Sequence, residues 1–141
     1  MQKTIALAAA MTVACSLTAN TTENVNIGKN MITLSSDLMT PEALWAMGRI
    51  GTTVASPDGK HIVYQVGYYS VKENKSHQVI CIMDANGKNQ RQLTKSAKNE
   101  TDPSWIDGGK RITYLYDGQI WSMNVDGSER KQMSNDKDGI E

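Results

Sequence analysis

Two histidines and two cysteines are the residues of this 141-residue chain most suited to acid–base, nucleophilic or metal chemistry. Their positions keep them apart. His61 follows the turn Asp58-Gly59-Lys60, and its counterpart in an internal repeat described below is Arg111. A position shared by His and Arg at a strand start reads as a solvated edge residue, not a general base. His77 lies in a polar stretch, Asn74-Lys75-Ser76-His77, that has no counterpart elsewhere in the chain, and it reads as a surface loop residue that could rim an entrance. Cys81 sits inside the apolar run Val79-Ile80-Cys81-Ile82-Met83, where a lone thiol is expected to pack as a small core residue. Two distant His and one buried Cys do not make a zinc ligand set.

The acidic turns invite a calcium reading, which their spacing denies. Asp84-Ala85-Asn86-Gly87 and Asn124-Val125-Asp126-Gly127 lack the roughly 12-residue loop and closing bidentate Glu of an EF-hand, and tight turns account for them. No GxxxxGK phosphate loop and no G-x-S-x-G elbow occur. Trp105, Trp121, Tyr64 and Tyr114 could pass for an aromatic recognition stripe, but Tyr64 and Tyr114 are repeat equivalents, so packing between repeats is the simpler account. Tyr68-Tyr69, beside the polar stretch, are the better candidates for an outside contact. Asn74-Lys75-Ser76 and Asn99-Glu100-Thr101 match the glycosylation triplet, which matters only in a eukaryotic secretory route. No catalytic, cofactor-binding or metal-binding residue is therefore assigned.

Charge narrows the partners. Fifteen basic and 15 acidic residues balance, which removes the electrostatic case for nucleic acid or an anionic membrane. The N-terminus is different in kind. Lys3 precedes the compact apolar run Ile5 to Ala14; about 10 residues is too short to span a bilayer but suits the core of a secretory leader. Residues 1–19 are expected to be that leader and to direct the chain to the periplasm or cell envelope. Cys15 is then either lost with it or lipidated, the latter being the one membrane anchor the chain offers. Cys81 is left without a disulfide partner.

Residues 20–37, rich in Thr, Asn and Ser, read as a linker. A short helix is expected within residues 38–49: Thr40 caps, Pro41 takes the first helical position, Glu42 suits the N-terminal dipole, and Gly48 marks the stop.

What must hold the remaining residues is a repeat. Ala55-Ser56-Pro57-Asp58-Gly59-Lys60-His61-Ile62-Val63-Tyr64 aligns with Trp105-Ile106-Asp107-Gly108-Gly109-Lys110-Arg111-Ile112-Thr113-Tyr114 at an offset of 50. Ile80-Cys81-Ile82-Met83-Asp84-Ala85-Asn86-Gly87 aligns with Ile120-Trp121-Ser122-Met123-Asn124-Val125-Asp126-Gly127 at an offset of 40. The match continues from Arg91-Gln92-Leu93-Thr94 to Lys131-Gln132-Met133-Ser134. A ten-residue insertion between Val66 and Val79, expected as a polar hairpin loop, reconciles the two offsets.

Each unit holds four expected strands: near 52–55, 60–69, 78–84 and 90–94 in the first, and 103–106, 110–116, 119–124 and 130–133 in the second. Gly- and Asp-rich corners separate them. Four strands per 40–50 residues is the signature of a β-propeller. The fold expected is all-β: two four-stranded antiparallel blades of an incomplete propeller, TolB-like and WD-repeat-like, with blade 1 at 50–95. Blade 2 and the start of the next connection take 96–141. Since a blade cannot bury its own faces and at least ~3 repeats are normally needed, the chain is expected to be truncated and, alone, prone to aggregate.

The segment Leu38-Met39-Thr40-Pro41-Glu42-Ala43-Leu44-Trp45, then Arg49, then Ala55-Ser56-Pro57-Asp58-Gly59-Lys60, resembles the start of bacterial prolyl-oligopeptidase-family serine peptidases, most of all the dipeptidyl-peptidase 5 type of the cell envelope. The strings 83–87 and 123–132 are similar to that family's first blades. The resemblance implies a propeller followed by an α/β-hydrolase domain with a Ser-Asp-His triad, and peptides as substrates. It implies that this part restricts access to that domain and docks against it. No family catalytic position falls within these residues. The rival expectation is a non-enzymatic, TolB-like envelope propeller acting as a protein-interaction scaffold, because the SPDGK and MN-x-DG elements are common to both.

Overall fold

A computed structural model describes residues 37–140. The expected leader 1–19, Cys15 and the linker up to residue 36 lie outside the described residues. The chain enters through α1 (Pro41–Ala46), where Thr40 Oγ1 accepts from the Ala43 N–H at 3.2 Å and Pro41 takes the first turn, so the N-terminal donors are met as the sequence implies. The helix is shorter than the 38–49 segment assigned to it. Met47 is already extended and Arg49 belongs to the first strand. The helix stops directly before Gly48, with Met47 as its C-cap, and a Cβ at Gly48 would lie 3.0 Å from both Val66 and Tyr68, so its bareness also lets the chain close onto the sheet.

Eight strands follow. The first sheet is β1 (Arg49–Ala55), β2 (His61–Ser70), β3 (Lys75–Asp84) and β4 (Arg91–Gln92); the second is β5 (Glu100–Ile106), β6 (Arg111–Tyr116), β7 (Gln119–Asn124) and β8 (Lys131–Gln132). Each sheet is antiparallel in simple sequential order. The outer strands β4 and β8 are shorter than the expected 90–94 and 130–133, because only two residue pairs of each ladder close.

Register confirms the pseudo-symmetry. Ala55 pairs Ile62 as Trp105 pairs Ile112; Ile62 pairs Met83 as Ile112 pairs Met123; Cys81 pairs Gln92 as Trp121 pairs Gln132. Local bonds repeat too. The Thr94 hydroxyl accepts from the Ile80 N–H at 2.9 Å, and the Ser134 hydroxyl accepts from the Ile120 N–H at 2.8 Å. The first strand of each sheet carries a bulge, between Ile50 and Thr53 and between Thr101 and Ser104. The two bulges meet where Thr52 Oγ1 donates to Asp102 Oδ1 at 3.2 Å.

The insertion between Val66 and Val79 falls in the β2–β3 hairpin as expected. Its loop is shorter than the strands expected at 60–69 and 78–84 leave, for β2 and β3 stay paired through Ser70↔Lys75 and turn only at 71–74. Four added residues on each strand, with a four-residue turn in place of the two-residue turn Asp117-Gly118, account for the ten-residue difference. Polar side chains do not prevent a strand when the backbone ladder continues and Val66, Val79 and Tyr68 pack beneath it.

The core lies between the sheets. Val63, Ile80, Ile82 and Leu93 from the first meet Ile112, Tyr114 and Met123 from the second, with Val54, Trp105, Tyr116, Trp121 and Val125 at the margin. A second cluster, Val66, Val79 and Cys81 beside Tyr64 and Tyr68, lies on the other face of the first sheet. Alternation explains the division: Val63 and Ile82 are one cross-strand pair, and Tyr64 and Cys81 are the next.

The turn at Gly127 tests how tightly the sheets meet. Gly87 (φ +80) and Gly127 (φ +88) are repeat equivalents, but a Cβ at Gly87 meets open space while one at Gly127 lands 3.0 Å from the Leu93 carbonyl oxygen of the opposite sheet. Gly87→Ala should cost about 1 kcal/mol for the left-handed backbone alone, and Gly127→Ala about 1 kcal/mol more. Urea unfolding of the two variants reads the difference; equal losses would mean the sheets are not in contact at that turn.

Candidate functional site

The chemistry-bearing side chains are dispersed by the sheets. His61 begins β2 directly opposite Asp84, its Nε2 3.8 Å from that carboxylate, and stays partly exposed as expected of an edge position. His77 is on β3 and not in a loop, opposite Tyr68, with Nε2 3.3 Å from the Lys98 carbonyl oxygen. It therefore ties the first sheet to the connection between sheets. Cys81 is buried in the second cluster, and burial pushes its thiol up to about 11. Among the described residues no group of three or more His, Cys, Asp or Glu converges on a point where an ion could sit.

A raised thiol pKa has a defined consequence. Below about pH 9 both folded and unfolded chains carry the neutral thiol. Between about pH 9 and pH 11 only the unfolded chain ionises, so stability contributed by the buried neutral thiol is lost as pH rises. Cys81→Ala should flatten that decline in urea midpoints measured from pH 8 to 11. A wild-type midpoint that does not fall across this range would contradict the burial.

The acidic corners are turn chemistry. Asp58 accepts from the Ser56 hydroxyl at 2.6 Å and from the Lys60 N–H at 3.0 Å, and those hydrogen bonds hold its carboxyl below the usual range. Asp126 is lowered in the same way by the Ser128 hydroxyl (2.6 Å) and N–H (2.8 Å). Asn86 likewise accepts from the Lys88 N–H at 2.9 Å. These are side chains closing their own turns, with no donor set left aimed at a cation.

The aromatic candidates separate into two roles. Tyr114, Trp105 and Trp121 belong to the packing between sheets, and the Trp105 indole N–H donates to the Val54 carbonyl at 3.0 Å across the interface. Tyr69 does something the sequence did not disclose. It meets Trp45 edge-on with ring centroids 5.7 Å apart, and the Arg49 guanidinium lies 4.5 Å from the Trp45 ring and 4.6 Å from the Tyr69 ring. Those three residues, 24 positions apart at the extremes, brace α1 against the lengthened hairpin. A recess of about 400 Å³ opens beside them, lined by Trp45, Tyr69, Val71, Asn74, Lys75 and Ser76. Leu38, Met39, Leu44 and Met47 remain exposed at this end.

Sequence reasoning also missed Glu100. It was noted only inside a glycosylation triplet, yet it is fully buried between the sheets, 3.4 Å from Arg130 Nη1, with its second oxygen unpartnered. Arg130 Nη2 donates onward to the Leu93 carbonyl at 3.2 Å. The signal was available: Glu100 aligns with Ile50 at the 50-residue offset, a charge standing where the other repeat has an aliphatic side chain.

Two sequential four-stranded sheets stacked face to face with matching register are blades of a β-propeller. Solved structures agree on the fold. An acylaminoacyl peptidase from Pyrococcus horikoshii superposes with a TM-score of 0.55 at 14% identity, over 67% of this chain and 15% of that one. The AtxE2 isopeptidase in its apo form gives 0.57 at 19% identity, over 70% and 20%.

No family model matches the chain. Curated relatives are more specific. Dipeptidyl-peptidase 5 of Porphyromonas endodontalis is 36% identical over 112 residues, 77% of this chain and 16% of that protein. Its namesake in Porphyromonas gingivalis is 34% identical over 83 residues, 59% and 12%. The chain is thus homologous to a stretch of dipeptidyl-peptidase 5, as the resemblance of residues 38–60 implied, and it spans about a sixth of the longer-matched relative's length.

Proposed function

We propose that this chain forms the front of the substrate-gating β-propeller of an exported serine dipeptidyl or aminopeptidase, acting with an α/β-hydrolase domain that lies outside residues 1–141. The homology to dipeptidyl-peptidase 5 over 77% of the chain carries the reading. The geometry supports it: the described residues form a scaffold of two stacked four-stranded blades. Peptides are then the substrates of the whole enzyme, admitted or refused by the propeller. The leader-like residues 1–19 support export to the periplasm or cell envelope.

Two measurements test this. The 141-residue chain should release no dipeptide from N-terminally free peptides, whereas the polypeptide read through beyond Glu141 should do so and should lose that activity on replacement of its own elbow serine. Peptide release by the short chain, or an inactive long one, would refute the assignment. Residues 1–36 fused to a reporter that is active only outside the cytoplasm should yield signal, and a dark fusion would remove the export element.

A further inference from the structure

The lengthened β2–β3 hairpin carries an arrangement that the second unit lacks. Tyr69, Val71, Asn74, Lys75 and Ser76 all lie in the stretch absent from blade 2, and Trp45 and Arg49 align there with Lys95 and Asn99. None of them belongs to either apolar cluster of the blades, so blade packing does not account for them.

The parts converge on one cation. Gly67 is the cross-strand partner of Arg49 and has no side chain to stand in the way. Tyr69, two residues further along the same face, leans over that gap, its hydroxyl 3.4 Å from where a Cβ at Gly67 would stand. Trp45 comes in from α1, and the exposed Arg49 guanidinium lies over both rings, at 4.5 and 4.6 Å. Ring contacts use a guanidinium's charge but leave its N–H fork unspent. Among the described residues no carboxylate pairs with Arg49 or with Lys75, although Glu42 stands on α1 and Glu73 in the hairpin turn. The two rings that hold Arg49 also form the aromatic wall of the recess of about 400 Å³, a volume in the range of small-molecule sites. Lys75 and Val71 stand on the same lining.

We propose that this recess binds a small organic carboxylate. The carboxylate pairs with Arg49 and Lys75, and its apolar body lies against Trp45, Tyr69 and Val71. A guanidinium steadied by rings is a fork already set for two parallel bonds to a carboxylate. A ligand offering an ammonium meets two like charges there, and a neutral amide forgoes the charge-assisted bonds. The C-terminal end of a short peptide and a free N-acylated amino acid share the required chemistry. Helix α1 and the hairpin build the site by themselves, so it stands or falls apart from the peptidase reading.

The test titrates the 141-residue chain with N-acetylphenylalanine and follows the indole N–H resonances of its three tryptophans, that of Trp45 being identified by Trp45→Phe. The Trp45 resonance should move, while those of Trp105 and Trp121, held between the sheets, should not. N-acetylphenylalaninamide, with the same body and no charge, should bind at least about tenfold more weakly. Arg49→Gln should weaken binding of the acid about tenfold and erase its advantage over the amide, and Arg49→Lys should not restore it. Lys75→Gln, which leaves the Trp45–Arg49–Tyr69 contacts in place, should weaken it about threefold. Ala-Ala-Phe and its C-terminal amide separate the two sources. A tripeptide acid that binds as tightly as the acylated amino acid assigns the site to peptide ends; one that is excluded assigns it to free acylated amino acids. A Trp45 resonance unmoved up to about 10 mM acid, equal binding of acid and amide, or undiminished affinity in both Arg49→Gln and Lys75→Gln would each overturn the proposal.

Discussion

Arg130→Met should destabilise the blade pair by about 3 kcal/mol, the low end of what removing one partner of a buried ion pair costs. Glu100 is 0% exposed and sits between the blades with one oxygen unpartnered. Its other oxygen meets the Arg130 guanidinium at 3.4 Å, and that arginine's own side chain is one-third exposed. Without that cation a carboxylate remains unpaired in the interface between the sheets, and the interface must open to let water reach it. Solvent access to the arginine keeps the cost at that low end. The repeat supplies the rescue. Ile50 and Gln90 stand where Glu100 and Arg130 do, so Glu100→Ile with Arg130→Met should recover to within about 1 kcal/mol of wild type. A urea double-mutant cycle measures both. A cost under about 0.5 kcal/mol for Arg130→Met would mean that the pair does not pin the blades.

Ile112→Ala should cost about 3 kcal/mol, through lost transfer energy and the cavity left between two sheets that cannot collapse onto it. Ile112 is 0% exposed at the centre of the cluster formed by Val63, Ile82 and Met123. Ile50→Ala is the control, because that side chain is 70% exposed and its truncation should fall within about 0.5 kcal/mol of neutral. Both residues are isoleucines in first-sheet or second-sheet strands, so propensity differs little between them. Thermal and urea unfolding should rank them the same way. Equal losses would show that the two sheets unfold independently and that no shared core joins them.

Both predictions turn on the space between the sheets, which is also where the sequence was least informative. Strand identities in each unit followed from short-range chemistry. Asn86-Gly87 and Asp126-Gly127 close turns with φ near +80 and +88, and Asp58 and Asp126 fold back on their own backbone. Such turns are decided within four or five residues, so they can be read from a string. Thr40-Pro41-Glu42 was legible for the same reason. The packing role of Gly48 was not legible, because it depends on Val66 and Tyr68, which meet it from another strand.

The candidate site shows the same division. His61 at an edge and Cys81 in a core were legible, since alternation and an apolar run report burial directly. The His77–Lys98 contact and the Trp45–Tyr69 contact of the brace were not; each joins residues more than 20 positions apart.

By itself, then, the amino-acid order determined the repeat, its offsets of 50 and 40, the turn corners and hence the four-strand unit, because each is written in backbone preferences local to a few residues. The tertiary structure alone decided which face of each sheet is covered. That choice makes Glu100 a buried anchor while Ile50 stands in solvent, and hides Leu93 while exposing Met133. Burial belongs to a pair of surfaces brought together from distant parts of the chain, and no single strand carries the information about what will be laid against it.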